Sequence, residues 1–140
     1  MDDTVEFELV TPERLLLSEE VDMVVIPGAE GDFGVLPGHA PMISSVRPGV
    51  VNIYEKDQIS QSIFVSGGFA EVSAERCTLL AEKAMDVEDI NAKDVEAALA
   101  KERQRLEAAE PGSADAKSIE SKIHAALAML EVVGGGAAGH

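Results

Sequence analysis

Ile26-Pro-Gly-Ala-Glu-Gly-Asp-Phe-Gly-Val-Leu-Pro-Gly-His-Ala-Pro-Met-Ile43 is the stretch on which the fold turns. It carries four glycines and three prolines, at Pro27, Gly28, Gly31, Gly34, Pro37, Gly38 and Pro41. No helix can run through such a segment. Glycine frees the backbone for positive φ and proline fixes φ near −65°, so their alternation reads as successive tight turns with short extended pieces between them. Its ionisable side chains are few, Glu30, Asp32 and His39, and it offers no nucleophile. A stretch of this kind shapes a surface rather than performing chemistry.

On both sides of it the chain has the period of strands. Val5, Phe7 and Leu9 alternate with Glu6, Glu8 and Val10, the pattern of a half-buried strand. Thr11-Pro12-Glu13 turns the chain, Leu15–Leu17 is a short apolar piece, and Val21–Ile26 is β-branched up to its stop at Pro27-Gly28. Downstream, Met42–Val46 and Val50–Tyr54 flank the Arg47-Pro48-Gly49 turn, and Gln58–Val65 ends at Gly67-Gly68. Phe69–Val72 and Cys77–Ala81 follow, joined by a polar turn. This spacing predicts a β-sandwich, or flattened barrel, of about eight to ten short strands.

Near residue 84 the pattern changes. Asn91 to Ala109 contains no Gly or Pro and six alanines, which favour helix. Asn91 is placed to cap it, with Asp94 favourable against the helix dipole. Ala92, Val95, Leu99, Leu106 and Ala109 share one face. Glu110-Pro111-Gly112 ends this helix, and Ser113 or Asp115 can open a second, with Ile119, Ile123, Leu127, Leu130 and Val133 as its stripe. Two such helices with a short loop predict an antiparallel helical hairpin. The expected division is a sandwich over 1–85, a hairpin over 86–133 and a disordered tail over 134–140.

Composition narrows the function. The 140 residues are 46% hydrophobic, enough for a core, and carry a formal net charge of −15. A surface so acidic repels phosphate backbones and anionic headgroups, which excludes nucleic acid as a partner. Residues 1–85 hold fifteen acids and five bases, and 86–140 hold eleven and six. The single cysteine, Cys77, lies in an apolar run and is expected to be a buried, inert thiol. No apolar run approaches the ~20 residues of a membrane span, and the start lacks the basic region of a signal peptide.

Chemistry is scarce as well. Gly28-x-x-Gly31-x-x-Gly34 lacks the spacing of a dinucleotide cradle, encloses Glu30 and Asp32, and precedes no helix. The histidines, His39, His124 and His140, fall in a turn, on a helix and at the end, with no metal-ligand spacing. No serine sits in a nucleophile elbow. The residues therefore predict no catalytic, cofactor or metal site, and a non-catalytic interaction module. They leave open a free-standing sandwich that binds a small ligand, or a cupin-like metalloenzyme. The latter needs two or three inward histidines, and the β part holds only His39.

Three blocks carry a resemblance. Glu30-Gly-Asp-Phe-Gly-Val-Leu-Pro-Gly-His-Ala-Pro-Met-Ile43, Arg47-Pro-Gly49 and Phe64-Val-Ser-Gly-Gly-Phe-Ala-Glu-Val72 closely resemble the epsilon subunit of bacterial F-type ATP synthase, over roughly residues 4–133. The resemblance implies a ten-stranded sandwich followed by a helical hairpin. It implies a non-catalytic rotor part in the central stalk, bound to gamma and standing on the c-ring, which couples proton-driven rotation to a catalytic head on other chains. The place implied is the cytoplasmic face of the bacterial inner membrane, peripheral and without insertion. On this resemblance Glu30, Gly31 and Asp32 face the polar loops of the c-ring, while His39, Ala40, Pro41 and Met42 belong to the face held by gamma.

The arm has further implications. In the family it can reach the beta and alpha subunits and block hydrolysis with basic residues, and some members bind ATP at an Ile-Asp-x-x-Arg-Ala start. Here that start reads Ile90-Asn91-Ala92-Lys93-Asp94-Val95. A carboxylate replaces the phosphate-binding arginine, so ATP binding is not expected. The second helix offers only Lys117 and Lys122 as fixed positive charges. Weak or absent inhibition is therefore expected, with the arm serving as a folded-down brace.

Overall fold

The computed structural model describes residues 3–138, with side chains through Gly134. The chain divides into two compact units, Met1–Asp86 and Val87–His140.

The first unit contains ten strands. They are β1 (Val5–Val10), β2 (Leu15–Val21), β3 (Met23–Gly28), β4 (Gly31–Val35), β5 (Met42–Val46), β6 (Gly49–Glu55), β7 (Gln58–Val65), β8 (Gly68–Val72), β9 (Arg76–Ala81) and β10 (Ala84–Asp86). They form one sheet in the order β10-β7-β6-β3-β5-β8-β9-β1-β2, with β4 paired to β3. The β1–β9 pair is parallel and the other pairs are antiparallel. The sheet curls until β2 approaches β6, giving the flattened barrel that the spacing of the strands predicts.

Alternation builds its core. Val5, Phe7 and Leu9 are buried on β1 while Glu6 and Glu8 point outward. Cys77, Leu79 and Ala81 do the same on β9, as do Ala70 and Val72 on β8. Val24, Ile26, Val51, Ile53, Ile63 and Val65 complete the opposite wall. Each large side chain buried in this way stabilises the fold by about 1.5–3 kcal/mol.

Strand β2 is longer than its apolar piece suggests, running through Ser18-Glu19-Glu20 to Val21. Apart from a bulge at Leu16 it is paired with β1 along its length at one edge of the sheet, where charged side chains can stand in solvent. Gly68 marks the tightest approach. Its φ is +150°, and a Cβ there would lie 1.9 Å from the Leu80 carbonyl oxygen, so only glycine fits.

The second unit holds a short 3₁₀ turn (Val87–Asp89) and two helices, α1 (Ala92–Ala108) and α2 (Ala114–Ala138). Asn91 Oδ1 accepts the amides of Lys93 at 3.0 Å and Asp94 at 3.2 Å, capping α1. Ser113 Oγ accepts the Ala116 amide at 3.1 Å and caps α2. The two helices pack together. The stripe withdrawn from solvent on α1 is Ala92, Val95, Leu99, Glu102, Leu106 and the C-cap Ala109, so a carboxylate fills the gap in the predicted face.

On α2 the corresponding seam is Ala116, Ile119, Ile123, Ala126, Leu130 and Val133, with Ala125, Ala128, Met129 and Val132 beside it also partly withdrawn from solvent. Leu127, expected in it, is instead exposed. Successive steps of four drift off a helical face, and alternating threes and fours keep to it. Helix α2 also reaches Ala138, through residues expected to form a tail; 139–140 lie outside the described residues. Extending a formed helix needs no new nucleus, so the glycines from 134, at about 1 kcal/mol each, can be carried at its end.

Candidate functional site

The turn Glu30-Gly31-Asp32 is the tip of the β3–β4 hairpin. Gly28 pairs with Gly31, leaving Ala29 and Glu30 as a two-residue loop. Gly31 has φ +138°, a conformation in which side chains are strained. At Gly28 a Cβ would stand 2.7 Å from the Gly31 oxygen and 2.9 Å from the Phe33 ring. The tip end of the hairpin is tied to β5 and the turn after it by Ala29 N–H donating to the Ser45 carbonyl and Arg47 N–H donating to the Pro27 carbonyl, both at 2.9 Å.

Arg47 then ties the tip. Its Nη2 donates to Asp32 Oδ1 at 2.6 Å and its Nη1 donates to the Gly28 carbonyl. Glu30 is exposed and makes no hydrogen bond or ion pair among the described residues.

Of the segment His39–Met42, the first three residues lie in the loop between β4 and β5, and Met42 opens β5. The amide of Gly38 donates to the Ala74 carbonyl at 2.8 Å, anchoring this loop on the β8–β9 turn. His39 is half-buried, with Nδ1 2.7 Å from the Ala40 carbonyl oxygen. That contact requires the proton on Nδ1 and leaves Nε2 as the acceptor in neutral imidazole. Ala40 and Pro41 are exposed. Met42 turns inward and packs against the core, while its neighbour Ile43 is 74% exposed. Strand alternation imposes this: Met42 supports the surface that Ile43 presents.

Ile43 belongs to a larger feature that the sequence motifs do not single out. In register across the outer face lie Ser45, Phe69, Leu80, Val10 and Leu15, one residue from each of β5, β8, β9, β1 and β2. Phe69 is 57% exposed, Leu80 52% and Leu15 54%. The signal for it is strand phase. Ala70 and Val72 in one phase put Phe69 outward, and Cys77, Leu79 and Ala81 do the same to Leu80.

Beyond this row the face turns acidic: Glu6 and Glu8 are engaged, while Glu71, in register with Ile43, is exposed and makes no side-chain hydrogen bond or ion pair among the described residues. Arg76 Nη2 donates to Glu6 Oε1 at 3.1 Å, Arg76 Nε stands 4.0 Å from Glu8, and Thr78 Oγ1 donates to Glu8 at 3.3 Å. The hydrogen bond from Arg76 to Glu6, reinforced by the charges of Glu6 and Glu8, raises the arginine pKa. Cys77 is fully buried, and desolvation pushes its thiol from 9.0 up to about 12. Among the described residues no group of three or more His, Cys, Asp or Glu side chains is arranged to hold a metal, and no helix is long and apolar enough to cross a membrane. What the surface offers is shape and apolar area: an exposed row on a stiff sheet, and a braced acidic tip.

A sandwich of this topology carrying these loops belongs to a recognised class. Residues 4–87 match the family described as ATP synthase, Delta/Epsilon chain, beta-sandwich domain, and the chain belongs to that family. Its similarity to particular relatives extends past the sandwich. It is 52% identical over 130 residues to an ATP synthase epsilon chain of Paramagnetospirillum magneticum, covering 93% of this chain and 92% of the relative. To an ATP synthase epsilon chain of Rhodospirillum rubrum it is 49% identical over 128 residues, covering 91% and 90%. Among solved structures, a chain of the Euglena gracilis mitochondrial ATP synthase aligns with TM-score 0.74 at 22% identity, covering all of this chain and 84% of that one. A chain from the Tetrahymena thermophila enzyme aligns with TM-score 0.58 at 15% identity, covering 90% and 96%. These two likenesses are of fold.

Proposed function

We propose that this chain is a non-catalytic rotor subunit of the central stalk of an F-type ATP synthase, peripheral to the cytoplasmic face of the membrane. The observation that carries this reading is the exposed apolar row Phe69–Leu80–Val10–Leu15 with Ile43 beside it, on a rigid wall of a protein of the epsilon family. Apolar rows of this kind are covered in the working state of a soluble subunit. The gamma subunit is the partner proposed to cover it, with His39–Met42 at its edge. Glu30–Asp32 is proposed to meet the polar loops of the c-ring. Torque passes through a body whose turns are fixed by glycine geometry and by Arg47, so that little of it is lost in deformation.

The helical unit is proposed to brace rather than to inhibit. Exposed Lys117 and Lys122 share α2 with Asp115, Glu120 and Glu131, which leaves little net positive field to grip acidic beta or alpha subunits. Pull-down from membranes at low salt, with mass identification of the partners, tests the whole reading. Recovery with gamma and c subunits supports it, and recovery of the chain alone sinks it. Deleting residues 87–140 tests the arm separately: hydrolysis by the purified enzyme should stay within about twofold, and a severalfold rise would refute the brace.

A further inference from the structure

We propose that Arg47 is a positioning residue that fixes the tip of the β3–β4 hairpin, occupying the Asp32 carboxylate so that Glu30 alone presents outward charge to the partner. Only the identity of that partner rests on the ring assignment above.

The geometry divides the two acids of the turn. Asp32 sits two residues past Glu30, and its Oδ1 is held at 2.6 Å by Arg47 Nη2. The same guanidinium donates through Nη1 to the Gly28 carbonyl on the opposite strand of the hairpin. One planar group thus bridges both strands of the hairpin at its narrow end. Lysine, a single point of charge, cannot hold both acceptors in that fork.

Arg47 is itself fixed. Its amide bonds the Pro27 carbonyl at 2.9 Å, it precedes Pro48, and the Val46 beside it pairs with Gly28. Glu30, at the apex, has no partner among the described residues. A tip that must meet a moving or repeating surface gains from one fixed presentation of one charge, and Arg47 supplies it.

Exchange measured on the free full-length chain tests the clamp without reference to any partner. In Arg47→Gln the Ala29–Phe33 amides should exchange about fivefold faster, the scale of an exposed charged pair, while the β1 and β9 amides keep their rates. Asp32→Asn should give the same change, the double variant should add nothing further, and Glu30→Gln should have no effect. Arg47→Lys should recover part of the protection. Unchanged rates in Arg47→Gln, or additive effects in the double variant, overturn the clamp.

In the assembled enzyme, Glu30→Cys paired with a cysteine in a polar loop of the c-ring should form a disulfide, and more slowly with Arg47→Gln. Equal rates in the two backgrounds overturn the positioning role. A disulfide that never forms with Arg47 intact, beside a positive exchange result, overturns the ring assignment and leaves the clamp standing.

Discussion

Converting Ile43, Phe69 and Leu80 to serine together removes the centre of the outer row without touching the core. Their exposures are 74%, 57% and 52%, so a docked partner still has close to twice one whole side chain's burial to gain from the three. At about 2 kcal/mol for fully burying such a side chain, that gain is on the order of 4 kcal/mol, or about a thousandfold in Kd. Association costs and imperfect complementarity reduce what is realised, and the expected loss is at least about 100-fold.

Titration of purified gamma against the full-length chain, by calorimetry, measures it directly. Two checks keep the result interpretable. The thermal midpoint should not fall, because the three side chains leave the core cluster intact. Ile59→Ser, an equally exposed residue on β7 in the other half of the sheet, should leave the affinity unchanged. A triple variant that binds gamma within about threefold of the parent would refute the assignment of this face.

Gly68→Ala should be among the most damaging single changes, costing about 3 kcal/mol or more, because the new methyl meets the Leu80 carbonyl oxygen at 1.9 Å, with the Leu80 carbonyl carbon at 2.9 Å and Ala81 Cα at 3.0 Å, all of it backbone; a denaturant midpoint like that of the parent would contradict this. Cys77 predicts an alkaline weakness. The unfolded thiol ionises near 9.0 and the buried one near 12, so its contribution is complete below pH 9 and declines as pH rises towards 12, by about 1.4 kcal/mol per unit. Between pH 8 and 10 the parent's urea midpoint should therefore fall further than that of Cys77→Ala, and parallel profiles would count against it. Glu102→Leu should stabilise the helical unit by about 1 kcal/mol. It trades a carboxylate side chain only 17% exposed, and its contact with Arg105, for apolar area on the same stripe as Leu99 and Leu106. Slower exchange of the α1 and α2 amides reads this out, and faster exchange refutes it.

The inner face of the sandwich is legible because it is written twice, once in the period of two and once in the glycines and prolines that space the strands. Val5, Phe7 and Leu9 can be placed inside from the alternation alone. The outer face obeys a weaker rule. Phe69 and Leu80 are as apolar as the residues beside them, and only strand phase shows that they point out. Arg47 is visible as a turn residue, but its bond to Asp32 joins positions fifteen apart, and no local pattern encodes that. Glu102 escapes the periodicity for the converse reason: a carboxylate on an apolar stripe contradicts the pattern by which the stripe is found, and its pairing with Arg105 makes it tolerable.

A net charge of −15 sets a problem for any docking surface on this chain, since a partner must approach through that field. The first unit meets it in part, by closing several of its charges on themselves where contact is needed. Arg76 holds Glu6 and faces Glu8, Thr78 also binds Glu8, and Thr4 Oγ1 donates to Glu20 at 2.7 Å, so of the carboxylates on the outer face Glu6, Glu8 and Glu20 are engaged and Glu71, opposite Ile43, stands unpaired among the described residues. Arg47 does the same for Asp32. Three of the five basic residues in 1–85 remain, and one of them, Lys56, sits in the β6–β7 turn, where its amide donates to Asp22 at 2.7 Å. The two arginines that matter are therefore spent at the two places where the sandwich is proposed to meet other subunits. Their placement lets an acidic protein present an apolar row whose remaining unpaired carboxylate is Glu71, and one single-charge tip, and it ties both to the stiffness of the sheet beneath them.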